Sequence, residues 1–238
     1  MLKRFIAILM VFVCGDLSAQ SIEGAWRWEG ENDQGEKIVA AVIFMDGFQV
    51  ATWYNEENPE FITTNGGKYS FEDGLLVEVV EFHSDRPETV GDTARLELEF
   101  KDTNTLYFKE SGMTLKRLDD GTPGVLAGPW LFSGRKRNGE VQERDTSMPR
   151  KTMKILSGTR FQWIAYNTDT GQFSDTGGGT YTTKDGKYTE NIEFFSRDNS
   201  RVGASLGFDF ELQDGKWHHS GNNSRGEPMY EFWSFRTK

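Results

Sequence analysis

The sequence predicts an all-β protein made of two tandem antiparallel up-and-down β-barrels of about eight strands each. Three observations lead to this prediction. One stretch of sequence occurs twice, with Phe61 answered by Phe173; apolar and polar residues alternate along many short segments; and Asp-Gly pairs separate those segments. Alternation with a period of two indicates half-buried strands, and Asp-Gly favours tight hairpin turns. A β-sandwich of the same strands is the alternative fold.

The first element is an export signal over residues 1–19. Lys3 and Arg4 form a short positive region, an apolar run follows, and Ala19 is the small residue that a signal peptidase requires. We therefore expect cleavage after Ala19 and a periplasmic or secreted protein. The alternatives are an uncleaved N-terminal anchor and a lipoprotein acylated at Cys14.

Composition restricts the function classes further. Cys14 is the only cysteine and would leave with the signal, so the mature chain is expected to lack disulfides and thiolate metal sites. The formal net charge of −10 disfavours nucleic acid and anionic lipid as partners. No apolar run after residue 19 is long enough to cross a bilayer as a helix, so no transmembrane segment is expected.

The internal repeat places the first barrel at residues 20–120 and the second at residues 125–238. The segment between them, Asp-Asp-Gly-Thr-Pro-Gly, has the composition of a linker. Because each copy carries its own set of strands and few residues join the copies, we expect each copy to fold independently. The aligned residues include Phe61–Tyr69 with Phe173–Tyr181, Glu78 with Glu190, and Glu81-Phe82 with Glu193-Phe194.

The strands of the second copy are the clearest. Apolar residues alternate with acidic ones from Leu206 to Leu212, and Asp185-Gly186 and Asp214-Gly215 mark hairpin turns. The glycines at 177–179 precede a strand and indicate a bulge or turn rather than a phosphate-binding loop. Strands are predicted near residues 129–133, 150–157, 160–166, 178–183, 187–195, 203–213, 216–220 and 229–236.

Two tripeptides, Gly24-Ala25-Trp26 and Gly128-Pro129-Trp130, resemble the Gly-x-Trp motif at the start of the first lipocalin strand. The chain is thus similar to lipocalin-like (calycin) domains, in particular the exported bacterial lipocalin-like domains of unknown function. The resemblance implies that each tryptophan closes a barrel floor and packs against an arginine from the last strand, Arg117 or Arg236. It implies a structural role for these four side chains. Shorter repeats and a missing C-terminal helix distinguish this chain from classical lipocalins.

A carboxylate falls on the more apolar, inward face of the fifth strand of each copy, at Glu78 and Glu190. A buried carboxylate needs a cation, hydrogen-bond donors or a proton. One interpretation is a structural ion pair or hydrogen-bond network within the barrel, for which Arg160 or a tyrosine could serve. The other is a ligand-binding or acid–base group, with His218 or His219 as partner in the second copy. The neighbours expected on the same face are Leu76, Val80 and Phe82 in the first copy, and Tyr188, Ile192 and Phe194 in the second.

Aromatic residues before the long loop are further ligand-binding candidates, because flat rings stack on sugars and other ring-bearing molecules. They could equally be ordinary core residues. Adjacent histidines on one strand point to opposite faces, so His218 and His219 cannot chelate one ion, and neither a metal nor a cofactor is expected. The aromatic candidates are Trp53 and Tyr54 in the first copy, and Trp163 and Tyr166 in the second.

The sequence therefore predicts an exported protein that binds a small molecule or oligosaccharide fragment in a lipocalin-like pocket. Its alternative is a lyase, isomerase or hydrolase that uses Glu190 with His218 or His219 inside the second barrel. A purely structural or partner-binding role is the third class.

Overall fold

The computed structural model describes residues 20–57, 60–223 and 226–237, and the predicted signal peptide lies outside them. The chain forms two closed antiparallel barrels in tandem, which confirms the predicted fold class and excludes the sandwich. Eight strands form the first barrel, and β1 closes it by pairing with β8. These strands are β1 Gly24–Glu31, β2 Lys37–Met45, β3 Phe48–Asn55, β4 Glu60–Glu72, β5 Leu75–His83, β6 Thr93–Asp102, β7 Thr105–Phe108 and β8 Thr114–Asp119.

The second barrel repeats this order, and β17 closes it on β9. One additional strand, β10, extends the edge of β9 through a hairpin at Asn138-Gly139. The sequence prediction missed β10, although Asn-Gly is itself a hairpin signal. The strands are β9 Gly128–Arg137, β10 Glu140–Glu143, β11 Arg150–Leu156, β12 Arg160–Asn167, β13 Phe173–Lys184, β14 Lys187–Phe195, β15 Ser205–Gln213, β16 Lys216–Asn222 and β17 Pro228–Phe235.

Asp-Gly pairs make the tight turns that the sequence predicts. Asp185 and Gly186 both have positive φ, at 51° and 74°, and Asp214 and Gly215 repeat this with 52° and 73°. Positive φ at both central residues gives the turn a twist that matches the flanking strands. No helix in the described residues is long and apolar enough to span a membrane.

Trp26 closes the floor of the first barrel together with Arg117, in the contact that the resemblance implies. The Arg117 guanidinium lies 4.1 Å from the centre of the indole ring and donates to the carbonyls of Ser21 and Glu23. The indole Nε1 donates to the Ile22 carbonyl at 2.8 Å. This end of the barrel is thus sealed by a buried ring and a satisfied cation.

Trp130 seals the second floor differently, and the expected packing of Arg236 against it is wrong. The cross-strand partner of Trp26 is Arg117, whereas the cross-strand partner of Trp130 is Phe235. The rings of Trp130 and Phe235 pack edge to face, with their centres 5.1 Å apart. Arg236 is one residue further along and therefore points out of the barrel. Its guanidinium lies 4.1 Å from the ring of Phe48 in the first barrel.

The outer faces of the two barrels pack on each other, so the copies share buried surface as well as a linker. One buried apolar cluster takes members from both barrels, including Phe48 and Phe82 from the first and Ile164 and Tyr166 from the second. Tyr54 donates to Glu193 at 2.9 Å, and the equivalent Tyr166 donates to Glu81 at 2.7 Å. Phe61 stacks on its repeat counterpart Phe173 with an interplanar angle of 6°. These reciprocal contacts relate the barrels by a pseudo-twofold axis.

A β-bulge in each copy supplies side chains to this interface. Gly66 and Gly67 pair with Phe82 and Val80, which leaves Glu81 as the extra residue; Glu193 is the extra residue at the corresponding point of β14. An inserted residue reverses the facing of those beyond it. Phe82 and Phe194 therefore lie in the buried apolar clusters between the barrels. The prediction that they share the inner face with Glu78 and Glu190 is wrong.

Candidate functional site

Each barrel contains an internal cavity, about 370 Å³ in the first and about 320 Å³ in the second. The first-barrel cavity is lined by Val42, Phe44, Gln49, Ala51, Trp53, Asn65, Leu76, Glu78, Arg86, Leu96, Phe108, Ser111, Met113 and Leu115. The second-barrel cavity is lined by Thr152, Lys154, Trp163, Glu190, Ile192, Phe195, Arg201, Ala204, Leu206, Phe208, His219, Asn223, Met229, Glu231 and Trp233.

Both cavities have a route to the surface. The first continues into a wider depression of about 860 Å³ and shares Trp53, Asn65 and Arg86 with it. The second shares Asn223, Met229 and Glu231 with a surface depression of about 910 Å³. A small molecule could therefore reach the interior of either barrel.

Glu78 is the main polar feature of the first-barrel cavity. Its side chain lies among apolar residues, and the residue is 7% exposed. Burial raises the pKa of Glu78 to about 7. A hydrogen bond with the Gln49 side chain lowers this pKa, but by less than burial raises it. Among the described residues, no hydrogen-bond partner reaches its Oε1 atom. This carboxyl group changes its charge near neutral pH, inside a cavity that a ligand could enter.

Glu190 has a different setting in the second barrel, because a lysine neutralises it. The Nζ atom of Lys154 lies 2.7 Å from Glu190 Oε1, and both side chains are almost fully buried. The same Nζ lies 5.0–5.1 Å from the ring centres of Tyr188, Trp217 and Trp233. Sequence reasoning missed Lys154, although a lysine between Met153 and Ile155 in an apolar strand was a usable signal.

His219 enters the same cavity on the neighbouring strand, while His218 faces outward and bonds to Tyr230 at 2.9 Å. The His219 Nδ1 atom lies 3.4 Å from Glu231 Oε2, which also accepts from Trp233 Nε1. Burial, followed by the charge of Lys154, lowers the pKa of His219. No partner among the described residues reaches its Nε2 atom. A neutral imidazole held by a carboxylate through Nδ1 can accept a proton at Nε2.

The predicted pair of Glu190 and His219 shares this cavity without sharing a hydrogen bond, since Glu190 bonds to Lys154 and His219 to Glu231. Sequence reasoning also missed Glu231. Its strand begins shortly after residues 224–225, which the structure does not describe, and the alternation of that strand does not distinguish Glu231 from its neighbours.

The predicted aromatic residues divide between cavities and interface. Trp53 and Trp163 line the first and second cavities. Tyr54 and Tyr166 lie on the outer faces of their strands, buried between the barrels. Arg160 lies there too, paired with Glu193 rather than with either cavity carboxylate. The side-chain alternation of a strand explains this division, because Trp53 and Tyr54 are adjacent.

In the described part of the chain, no three His, Cys, Asp or Glu side chains come together as a group that could hold a metal ion. Comparison with the known protein families gives no match, and comparison with the curated proteins gives none either.

Proposed function

We propose that the protein binds small, ring-bearing and largely apolar molecules inside its barrels. The observation that carries this proposal is the pair of internal cavities, each above a floor sealed by a buried tryptophan. Ligand pockets in proteins range from about 300 to 1,000 Å³. The two cavities are at the lower end of that range, which suits a molecule of one or two rings.

The lining of the cavities favours an apolar ring over a glycan fragment. Each hydroxyl group that a sugar buries needs a hydrogen-bond partner, and most of the lining side chains are aliphatic or aromatic. Trp53 and Trp163 offer ring faces for stacking. A glycan fragment is therefore the second choice of ligand.

We place this binding outside the cytoplasm of a bacterial cell. The support is the positively charged and apolar pattern of residues 1–19, together with the resemblance to exported bacterial lipocalin-like domains. The intact mass of the purified protein tests the first point: a chain that begins at Gln20 supports the proposal, and a chain that retains residues 1–19 contradicts it.

Calorimetric titration with indole tests binding, with N-acetylglucosamine as the carbohydrate comparison. We expect up to two bound indoles per chain and weaker binding of the sugar. Ala51 and Ala204 line the first and second cavities, so Ala51→Phe and Ala204→Phe should each remove one site. Gly207→Ala, where an added methyl group meets no atom within 4 Å, is the matched control. Indole binding that survives both filled cavities would contradict the proposal.

The alternative function is an enzyme in the second barrel, and one observation favours it. His219 is held by Glu231 and leaves its Nε2 atom without a partner, so His219 rather than Glu190 would be the general base. This alternative predicts that the protein consumes a molecule that it binds. His219→Asn should then abolish turnover while binding persists.

A further inference from the structure

The two barrels differ at one pair of equivalent positions. The repeat aligns Glu78 with Glu190 and Val42 with Lys154. The strand pairing agrees, because Val42 lies opposite Trp26 and Lys154 lies opposite Trp130. The cation beside the carboxylate of the second barrel therefore has an uncharged counterpart in the first.

The second barrel shows how this fold accommodates an ammonium group. The Lys154 Nζ atom bonds to Glu190 Oε1 at 2.7 Å, and its alkyl stem runs through an apolar interior. A buried carboxylate without a cation is costly, and Lys154 meets that requirement within the chain itself.

The first barrel offers Glu78 a hydrogen bond with the Gln49 side chain in place of a cation. Glu78 takes part in no ion pair among the described residues, and Arg86 at the mouth bonds to His83 instead. Among the described residues, Glu78 is also the only carboxylate that lines the first-barrel cavity. The positions of His219 and Glu231 correspond, through the strand pairing, to Phe108 and Met113, so two polar groups of the second cavity have apolar counterparts in the first.

We propose that the first barrel selects small amines: an ammonium group pairs with Glu78, where Lys154 pairs with Glu190 in the second barrel, and an apolar body packs against Phe44, Trp53 and Phe108. This inference rests on the proposed binding function and adds the ligand class. An acidic ligand is disfavoured, because its charge would meet the carboxylate of Glu78 in a cavity whose lining is largely apolar.

Two titratable groups near Glu78, Tyr69 and His83, have pKa values shifted away from the range in which Glu78 ionises. Tyr69 is paired with it across β4 and β5, and burial raises the pKa of Tyr69, so its hydroxyl stays neutral. Burial lowers the pKa of His83, which accepts a hydrogen bond from Arg86. A cation should therefore bind more tightly as pH rises through about 7, where Glu78 ionises.

Calorimetric titration of the full chain with benzylamine and its neutral analogue benzyl alcohol tests the inference. At about pH 8 we expect benzylamine to bind at least about tenfold more tightly to the first barrel, and at about pH 5.5 most of that advantage should be lost. Glu78→Gln should abolish the preference and keep the binding of benzyl alcohol. Its thermal unfolding reports whether the variant is folded.

A second variant, Ala204→Phe, fills the second cavity, so any binding heat that remains comes from the first cavity. Equal binding of the amine and the alcohol would overturn the inference and leave the binding function standing. Tighter binding of the alcohol than of the amine at about pH 8 would also overturn it, because an ionised Glu78 would then fail to favour the cation. Failure of both probes to bind would overturn the inference and binding by the first barrel together.

Discussion

At the scale of single residues, the same glutamate has opposite electrostatic settings in the two barrels. Glu190 is paired with a lysine inside the barrel, whereas Glu78 has a pKa raised to about 7 by burial. A buried ion pair contributes little net stability, but removal of one partner leaves an uncompensated charge. The two glutamates should therefore respond differently to replacement by glutamine.

Glu190→Gln should destabilise the protein, because it leaves the Lys154 ammonium group buried without its anion. We expect a loss of about 3–5 kcal/mol in the free energy of unfolding, measured by urea denaturation. The double variant Lys154→Met/Glu190→Gln should regain most of it, since both charges are gone. An unchanged midpoint for the single variant would show that Glu190 is not held by the pair and would return it to the ligand-binding candidates.

Glu78→Gln should stabilise the protein, and more so at high pH. The pKa of Glu78 is raised from an ordinary 4.5 to about 7, so the native state holds its proton more tightly than the unfolded state. The free energy of unfolding therefore falls by about 3 kcal/mol in total as pH rises from 4.5 to about 7. Urea denaturation at about pH 5 and about pH 8 should show a larger gain for the variant at the higher pH. Equal gains at both values would contradict the raised pKa.

At the scale of strands, glycines next to the bulges set which side chains reach the interface. Gly179 has φ of 157°, and an added Cβ atom would lie 2.0 Å from the carbonyl oxygen of Asn191. The close approach of two backbones at this point requires a residue without a side chain. The bulge that this packing allows turns Phe194 outward, to the same side of the strand as Glu193.

Gly179→Ala should accordingly lower stability by about 3 kcal/mol or more, since the backbone must move. Gly207 is a strand glycine with no atom within 4 Å of an added Cβ, so Gly207→Ala is the matched control and should change stability by less than about 1 kcal/mol. Thermal unfolding compares the two variants. Similar melting temperatures for both would show that the strands separate at little cost.

At the scale of the whole molecule, the two barrels share buried surface, and this changes the expectation for isolated repeats. The sequence alone predicts that residues 125–238 fold independently as a soluble domain. In the structure, that fragment would expose Leu131, Met153, Ile155 and Ile164, which pack against the first barrel. Exposed contiguous apolar patches of this kind promote association.

The fragment 125–238 should therefore self-associate or bind a hydrophobic dye, and residues 20–120 added in trans should suppress this. Size-exclusion chromatography with dye fluorescence provides the measurement, and the intact chain is the control. A monomeric fragment that unfolds cooperatively without dye binding would mean that each barrel is stable alone, as the sequence predicts.

The sequence by itself determined the all-β class, the duplication, most strand positions and the Asp-Gly turns, because alternation and turn chemistry are local properties of the chain. It also put Glu78 and Glu190 on inward faces. The tertiary structure decided which face each residue beyond a bulge takes, which cation meets Glu190, and that Tyr54, Tyr166 and Arg160 lie between the barrels. One inserted residue reverses the facing of a strand, and partners such as Lys154 and Glu190 are distant in sequence. Only the closed barrels bring such residues together.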